Sequence, residues 1–501
     1  MASRRGGVLV FIAALQAFHA ENLDPDHSDF DHLNGADAFG EFGDAERSIS
    51  DEMRQGARGR SVEMTFKYSY TNTTLFNYAA ESRGYPEEPD RVFVTCRGGG
   101  MTVIDLSTPG SNPPDVVARW ETPWTVEGQD RMGELLVVSE LGRGPAGPLP
   151  RGPHLHLFRL PRDGAYGPAL SPFGSVNLTS HIDAILHVKL YQNDGGETWA
   201  ICSGGFATTA EGALVAVNLT RVLLDWGNSS EGSESLGDFR GGHDVRARSA
   251  AIAVSVLETD VSQPEGVMIV GDYAYIGGIN SSTLAVVALD DPSPMHMHVV
   301  AHRDHYGAQL VATSWAKEPF GSGPPDLLYM ADWREVGGLA IVNTSDPTMP
   351  VLLSSVRSQQ AAKANRVKMF QLRLGPWLPH QGDPEVMNLA LLPLEQPIGA
   401  LAVVDVTNAT EARLVAVQRL PLFPTASHNK DGRDRNRNSW TKTKSRSSKD
   451  DDDAPWTSTK TYCLAVSQSA EVHVFVALTS TVYVFQLSAA DAAAANTNQQ
   501  A

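Results

Sequence analysis

Cysteine and basic residues are both scarce in this chain of 501 residues. Its three cysteines are too few for a small disulfide-stapled protein, and at least one of them has no partner cysteine within the chain. Its 40 lysines and arginines face 58 aspartates and glutamates, which gives a formal net charge of -18. Because a protein that binds the phosphate backbone needs a basic face, we expect no nucleic-acid partner.

Long hydrophobic runs and familiar catalytic motifs are also missing. After the N-terminus no apolar stretch reaches the ~18 residues of a spanning helix, so we expect no transmembrane segment in the mature chain. The sequence contains no G-x-S-x-G, no H-E-x-x-H and no phosphate-binding loop. It therefore identifies neither a catalytic residue nor a cofactor.

Residues 1–20 have the order of a secretory signal peptide, because Arg4 and Arg5 precede an apolar run that ends at Phe18. A short membrane anchor is the alternative, but the run is too short to cross ~30 Å of hydrocarbon. We therefore predict a secreted or lumenal protein. Seven N-x-[ST] sequons agree with that compartment and predict a glycoprotein. They begin at Asn72, Asn177, Asn218, Asn228, Asn280, Asn343 and Asn408.

Three segments are predicted to be disordered. Residues 21–60 form an acidic leader, residues 425–460 form an insertion with a basic run and four aspartates, and residues 489–501 form a tail. The cluster at 58–60 is either a processing site or part of an ordinary linker. The insertion is either a solvated loop or a contact for an anionic glycan or a membrane surface.

A pattern of apolar strands and polar turns repeats along the rest of the chain. Four copies are clear: MTVIDLSTPGSNPPDVVARW from Met101, LAVVALDDPSPMHMHVVAH from Leu284, LAIVNTSDPTMPVLLSSV from Leu339 and LAVVDVTNATEARLVAVQ from Leu401. Three weaker copies begin at His154, Ala213 and Thr481. Runs of five or six Val, Leu, Ile and Ala indicate buried strands, and the polar residues that follow end them in turns.

Each of the seven units has a further apolar strand before this pattern, such as ELLVVSE or LLYMADW, joined to it by a short hairpin loop. No long amphipathic helix pattern competes, so the predicted fold class is all-β. A small antiparallel sheet cannot bury both faces alone, and four strands per unit favour a β-propeller. We predict a single propeller over residues 61–488 with seven four-stranded blades.

The stretches LAVVDVT and LAIVNTSDPTMP resemble those of LVIVD-repeat β-propellers. The resemblance is strong at four units and loose at three, which lack the Asp-Pro turn, and it covers roughly residues 60 to 488. That family occurs on secreted or surface proteins, so the resemblance implies the same compartment as the signal peptide.

Closure of the ring is predicted from its two ends. The seventh unit has no fourth strand before the Ala-rich tail, whereas SVEMTFKYSY at Ser61–Tyr70 is an alternating strand ahead of the first unit. We predict that this N-terminal strand completes the last blade. A free N-terminal strand is the alternative, and it would leave two exposed edges.

Cysteine and histidine offer few candidates for chemistry. Cys96 in unit one and Cys463 in unit seven would lie in neighbouring blades and form the one plausible disulfide, with buried free thiols as the alternative. His296 and His298 would face the same side of an outer strand, which makes them weak metal candidates beside the more ordinary interpretation of solvent-exposed side chains.

Charged side chains recur in the loops between the second and third strands of the units. In propellers these loops line the mouth of the central channel, where a mixed arginine and carboxylate surface suits a polar or anionic small molecule or a glycan. The ligand-binding candidates are Arg97, Arg143, Asp332, Arg334 and Glu335, together with His187 and His305, which fall where the chain returns towards the channel. Solvated loop tips and structural histidines are the alternative.

Two functions follow from these expectations. The first is a secreted or lumenal binding scaffold for a protein, a glycan or a small polar ligand. The second is an extracellular hydrolase or lyase with an acid–base pair or a metal at the channel mouth. Fold alone does not separate them, because propellers support many activities.

Overall fold

A computed structural model describes residues 61–490 apart from the following segments and positions. Outside it lie 72–78, 86, 98, 108–114, 142–151, 163, 206–210, 224–251, 263, 279–282, 290–292, 304–309, 316–325, 335, 375–384, 395–399, 421–460, 467–471 and 479–480. The predicted signal peptide, leader, insertion and most of the predicted tail therefore lie outside the described residues.

The described chain forms seven four-stranded antiparallel sheets. The first three are blade 1, with β2 (Ala79–Tyr85), β3 (Glu88–Cys96), β4 (Gly100–Asp105) and β5 (Asp115–Trp120); blade 2, with β6 (Val126–Met132), β7 (Leu135–Glu140), β8 (His154–Arg159) and β9 (Gly174–Asn177); and blade 3, with β10 (Ala184–Gln192), β11 (Thr198–Gly205), β12 (Glu211–Asn218) and β13 (Val254–Ser262).

The next three sheets follow the same order along the chain. They are blade 4, with β14 (Pro264–Val270), β15 (Tyr273–Gly278), β16 (Leu284–Ala288) and β17 (His298–Arg303); blade 5, with β18 (Leu310–Trp315), β19 (Leu327–Asp332), β20 (Gly337–Asn343) and β21 (Val351–Ser358); and blade 6, with β22 (Lys368–Leu374), β23 (Glu385–Leu394), β24 (Ala400–Asp405) and β25 (Arg413–Arg419). Two short 3-10 helices, Pro294–His296 and Gln359–Ala361, lie in blades 4 and 5.

Blade 7 joins the two ends of the chain. It contains β26 (Thr461–Val466), β27 (Val472–Leu478), β28 (Thr481–Ala490) and, as its outermost strand, β1 (Ser61–Thr71). The antiparallel register of β1 and β28 runs from Ser61 opposite Ala490 to Thr71 opposite Thr481. The all-β seven-bladed propeller and its closure by the N-terminal strand are therefore confirmed.

The core lies between the blades. Among the described residues, separate hydrophobic clusters occupy the spaces between successive blades from blade 1 through to blade 7. Between blades 2 and 3, for example, Val137 and Leu155 pack with Val188 and Cys202, and all four are buried. The second and third strands of a blade have a neighbouring blade on both faces, which is why they are continuous apolar runs.

A turn at the end of the third strand recurs in six blades. The first residue after that strand is buried, and its backbone N–H donates to a carbonyl just before the second strand or in its first four residues. These residues are Leu106, Leu160, Leu219, Leu289, Thr344 and Val406. In four blades the preceding side chain also accepts from the backbone N–H two residues further on; these side chains are Asp105, Asn218, Asn343 and Asp405. Such Asx turns end a strand without orphaned backbone groups.

A register shift recurs at the start of the innermost strands. In the described strands, six of the seven have a register shift near their first residues, opposite the end of the second strand. A β-bulge rotates the side chains that follow it, and bulges are frequent beside functional sites. We call the end of the ring at which these strands begin the entry face. Because strand direction alternates, the loop from the second to the third strand of each blade also lies there.

Candidate functional site

Charged side chains from the innermost strands of three successive blades meet in the central channel. Glu81 and Arg83 lie on β2, Asp130 lies on β6, and His187 and Lys189 lie on β10. The spacing of two residues within β2 and β10 directs each pair to one side of its strand. These five residues are the channel cluster, and their side chains are buried or nearly so.

Ion pairs connect the three blades through Asp130, which contacts both Arg83 of blade 1 and Lys189 of blade 3. Arg83 Nε lies 2.8 Å from Glu81 Oε1, and its Nη1 donates to Asp130 Oδ1. Lys189 Nζ lies 3.4 Å from the same Asp130 oxygen. Glu81 Oε2 accepts the backbone N–H of Gln129 at 2.8 Å, and Asp130 Oδ2 accepts that of Leu190 at the same distance. All four carboxylate oxygens of the cluster thus have partners within the chain.

His187 is held in its neutral form by the same surroundings. Its Nδ1 accepts the Val267 N–H at 3.5 Å, and its Nε2 lies 3.3 Å from Glu81 Oε1 and 3.5 Å from Arg83 Nη2. Burial lowers the pKa of His187 and outweighs the opposing effect of Glu81. Burial by itself would raise the pKa of Glu81, but Arg83 and His187 hold it well below its usual value. Burial, together with Arg83, also lowers the pKa of Lys189.

On the entry face, two arginines are oriented by buried carboxylates. Arg97 Nε lies 2.6 Å from Glu127 Oε1; the arginine side chain is 32% exposed and the glutamate side chain 4%. Arg334 contacts both oxygens of Asp332, at 3.0 and 2.8 Å, with 31% and 2% exposure. Each guanidinium is thus fixed on one side and open to solvent on the other.

The candidates predicted from sequence fall into three groups. His187 belongs to the channel cluster. Arg97 lies on the entry face in blade 1, whereas Asp332 and Arg334 lie together on the same face in blade 5. Arg143, Glu335 and His305 lie outside the described residues.

The metal and disulfide candidates differ in how far the structure describes them. His296 belongs to a 3-10 helix that begins at Pro294, so only His298 of the pair lies on a strand, and both are exposed. Within the described ranges, no three His, Cys, Asp or Glu side chains cluster closely enough to hold a metal. Burial raises the pKa of the Cys96 thiol to about 12. The side chain of Cys463 is outside the description, so the disulfide stays a prediction.

Four of the seven sequon asparagines are described, and each has a turn role. The side-chain oxygens of Asn177, Asn218, Asn343 and Asn408 accept the backbone N–H of the residue two positions later. That later residue is the Ser or Thr of the sequon, so an Asx turn and a sequon share one pattern here. Four of the seven sequons therefore also have a structural cause, and glycosylation stays a prediction. Asn72, Asn228 and Asn280 are outside the described residues.

Sequence reasoning missed Glu81, Arg83, Asp130 and Lys189. They lie on innermost strands such as AAESRGY and VEGQDRM, which are too polar to be recognised as buried strands. The available signal was two charged or ionisable residues spaced by two, in a segment just ahead of an apolar strand. Glu81 with Arg83, and His187 with Lys189, both have that spacing.

Comparisons with known proteins agree with the described ring. The family model described as LVIVD repeat matches residues 263–299 and 326–358, which fall in blades 4 and 5. No curated protein matches the sequence. No helix in the described part of the chain is long and apolar enough to cross a membrane.

Two solved propellers are similar to this chain in structure at 9% sequence identity. One is the WD40 beta propeller domain of Doa1, with a TM-score of 0.47, covering 84% of this chain and 96% of that chain. The other is the beta-propeller domain of Cps50 (Swd1) from Myceliophteria thermophila, with a TM-score of 0.48, covering 84% of this chain and 99% of that chain.

Proposed function

Because the chain is a seven-bladed LVIVD-repeat β-propeller, we propose that it is an extracellular binding scaffold whose entry face contacts its partner. The observation that carries this proposal is the pair of half-exposed guanidiniums, Arg97 and Arg334, each oriented by a buried carboxylate. A guanidinium that is already held in place loses little side-chain entropy when it binds a partner. The partner is a protein, a glycan or a small polar ligand that presents an acidic group to this face.

The extracellular part of the proposal is supported by the sequence. Residues 1–20 have basic residues followed by an apolar run, which is typical of a signal peptide. The seven sequons also favour the secretory route. Expression of the full chain in cultured eukaryotic cells tests it. We expect to find the protein in the medium without the predicted signal peptide. Retention in the cytosol would contradict the proposal.

A face-specific binding experiment tests the scaffold. The purified full chain is screened against arrayed extracellular proteins and glycans, and each hit is measured again with Arg97→Gln. The matched control is Arg413→Gln, because Arg413 is also half-exposed and paired with a buried carboxylate, Asp405. Arg413 begins the outermost strand of blade 6, so it lies on the opposite face of the ring.

We expect Arg97→Gln to weaken binding about tenfold, the loss of one charge-assisted contact, and Arg413→Gln to leave it unchanged. Thermal unfolding of both variants checks that the fold is equally retained. The proposal fails if no partner binds, or if only the Arg413 variant loses affinity.

An acid–base enzyme is the second candidate, and His187 is the observation that favours it. A neutral imidazole beside Glu81 and Lys189 in a channel has the groups for proton transfer. It ranks second because the carboxylates of the cluster are engaged within the chain. A screen of hydrolase and lyase substrates tests this candidate. Turnover by the wild type that is lost in His187→Asn would rank the enzyme above the scaffold.

A further inference from the structure

Lys363 has a backbone conformation that lysine rarely adopts. It has a φ of 51°, and no other described residue apart from glycines has a positive φ. It follows the 3-10 helix Gln359–Ala361, which connects the outermost strand of blade 5 towards blade 6. Its backbone N–H donates to the Arg334 carbonyl at 2.8 Å. Asparagine or glycine would relieve the strain, so a lysine here points to a use for its side chain.

The Lys363 side chain lies across the hairpin between β19 and β20. Its Nζ is 4.6 Å from the centre of the Trp333 ring, within the range of a cation–π contact. The hairpin is held close to the outer strand by Gly338, which has a φ of 144° and whose position leaves no space for a Cβ beside the Val356 carbonyl. The ammonium is thereby placed next to Arg334 on the entry face.

Two guanidiniums share the carboxylate of Asp332, the residue that precedes Trp333. Arg334 is bound by both oxygens of Asp332, and Arg357 Nε lies 3.9 Å from Asp332 Oδ2 with its side chain 38% exposed. Two guanidiniums thus contact one carboxylate that is only 2% exposed, and the Lys363 ammonium lies over the ring of Trp333, the residue between Asp332 and Arg334. In a chain of net charge -18, these described groups form a local positive surface on the entry face.

We propose that Arg334, Arg357 and Lys363 bind a sulfate group of an acidic glycan. This inference rests on the proposed function, because it specifies the ligand of the same entry face. Guanidinium forks and an ammonium match the oxygens of such a group, and Asp332 keeps the forks oriented. The half-buried ring of Trp333 and the exposed Val336 add apolar surface beside the cations. A sugar ring that carries an acid presents the same combination of apolar and charged surface, whereas an acidic peptide side chain presents the charge alone.

Calorimetric titration of the full chain with four probes tests the assignment. The probes are a sulfated heparin hexasaccharide, its desulfated form, hexaglutamate and inorganic sulfate. We expect the sulfated hexasaccharide to bind at least tenfold more tightly than each of the others. Comparable binding of hexaglutamate would assign the site to acidic peptides. Comparable binding of inorganic sulfate would reduce it to a free-anion site, and either result overturns the proposal.

Variants locate the binding. Lys363→Gly removes the ammonium and relieves the positive φ, so its melting temperature should equal or exceed that of the wild type. We expect Lys363→Gly and Arg357→Gln each to weaken the hexasaccharide about tenfold, with Arg413→Gln on the opposite face unchanged. Unchanged affinity in both entry-face variants overturns the site.

The two proposals fail in different ways. If an arrayed partner depends on Arg97 while the hexasaccharide does not bind, the glycan site is wrong and the scaffold stands. If the hexasaccharide binds through Arg413 and not through Lys363 or Arg357, the entry face itself is wrong.

Discussion

At the scale of single residues, Arg83 holds together two buried carboxylates that come from different blades. We expect Arg83→Leu to destabilise the protein by about 3–5 kcal/mol, because Glu81 and Asp130 would be left buried without their shared cation. Arg159→Leu is the control, since Arg159 is 50% exposed beside Glu134 and such pairs contribute about 0–1 kcal/mol. Urea denaturation measures both, and equal losses would contradict the structural role of the channel cluster.

The channel cluster also makes stability depend on pH. The pKa of His187 is lowered in the folded state, so the unfolded chain takes up that proton first. Stability from His187 is therefore complete above about pH 6.5 and falls as the pH decreases below it. The lowered pKa of Glu81 acts in the same direction, with a loss that begins below about pH 4.3.

His187→Gln separates these two contributions. We expect the melting temperature of the wild type to fall between pH 7 and pH 5, and the variant to be nearly flat over that interval while still losing stability at lower pH. Melting curves from pH 4 to pH 8 measure this. A variant as pH-dependent as the wild type would show that His187 is not the responsible group.

At the scale of elements, the turn after the third strand uses Asp or Asn for one purpose. Asp105 and Asp405 accept the same backbone N–H in blades 1 and 6 as Asn218 and Asn343 do in blades 3 and 5. An aspartate therefore preserves the turn while it removes a sequon. Replacing such an asparagine by aspartate therefore tests glycosylation at that position without changing the turn.

Asn343→Asp is the corresponding prediction. Secreted protein should lose the mass of one N-glycan, with an unchanged unfolding midpoint. Asn343→Ala should lose the same mass and also about 1 kcal/mol of stability, because the Ser345 N–H loses its acceptor at 2.9 Å. Mass spectrometry and denaturation measure the two effects. An unchanged mass in both variants would show that Asn343 carries no glycan.

Elements also differ in how well the sequence predicts them. The second and third strands, such as Leu135–Glu140 and Leu327–Asp332, are evident because both faces are buried and the run is apolar throughout. The innermost strand Ala79–Tyr85 was not recognised, because its charged side chains find their partners about 50 and 100 residues away. The pairing, and not the local sequence, makes it a buried strand.

At the scale of the whole molecule, the ring depends on β1. This strand pairs with β28 along its full length, and Val62 and Met64 pack into the core between blades 6 and 7. A chain that begins at residue 72 would leave an open edge on β28 and lose this packing. A chain that begins at residue 61 retains both.

Truncation tests the closure. We expect the chain from residue 61 to melt at the temperature of the full chain and to remain in the same oligomeric state. The chain from residue 72 should melt at a lower temperature and associate through the open edge. Calorimetry and size-exclusion chromatography measure both, and equal behaviour of the two truncations would contradict closure by β1.

The entry-face loops of blades 1 and 5 show which contacts the sequence does not predict. The positions of Arg97, Asp332 and Arg334 in loops after a second strand were predicted, because a loop and its flanking strands are adjacent in sequence. That Glu127 orients Arg97, and that Lys363 crosses Trp333, depends on contacts between segments about 30 residues apart. Such contacts form only when blades and loops are assembled.

By itself, the sequence predicted the all-β class, the seven four-stranded blades and the closing strand. Those features follow from hydrophobic runs and turns, whose spacing is local and repeats along the chain. Only the tertiary structure decided which charges meet in the channel and which cations are exposed together on the entry face. A ring brings together residues far apart in sequence, and their burial and pairing depend on neighbours that no local pattern specifies.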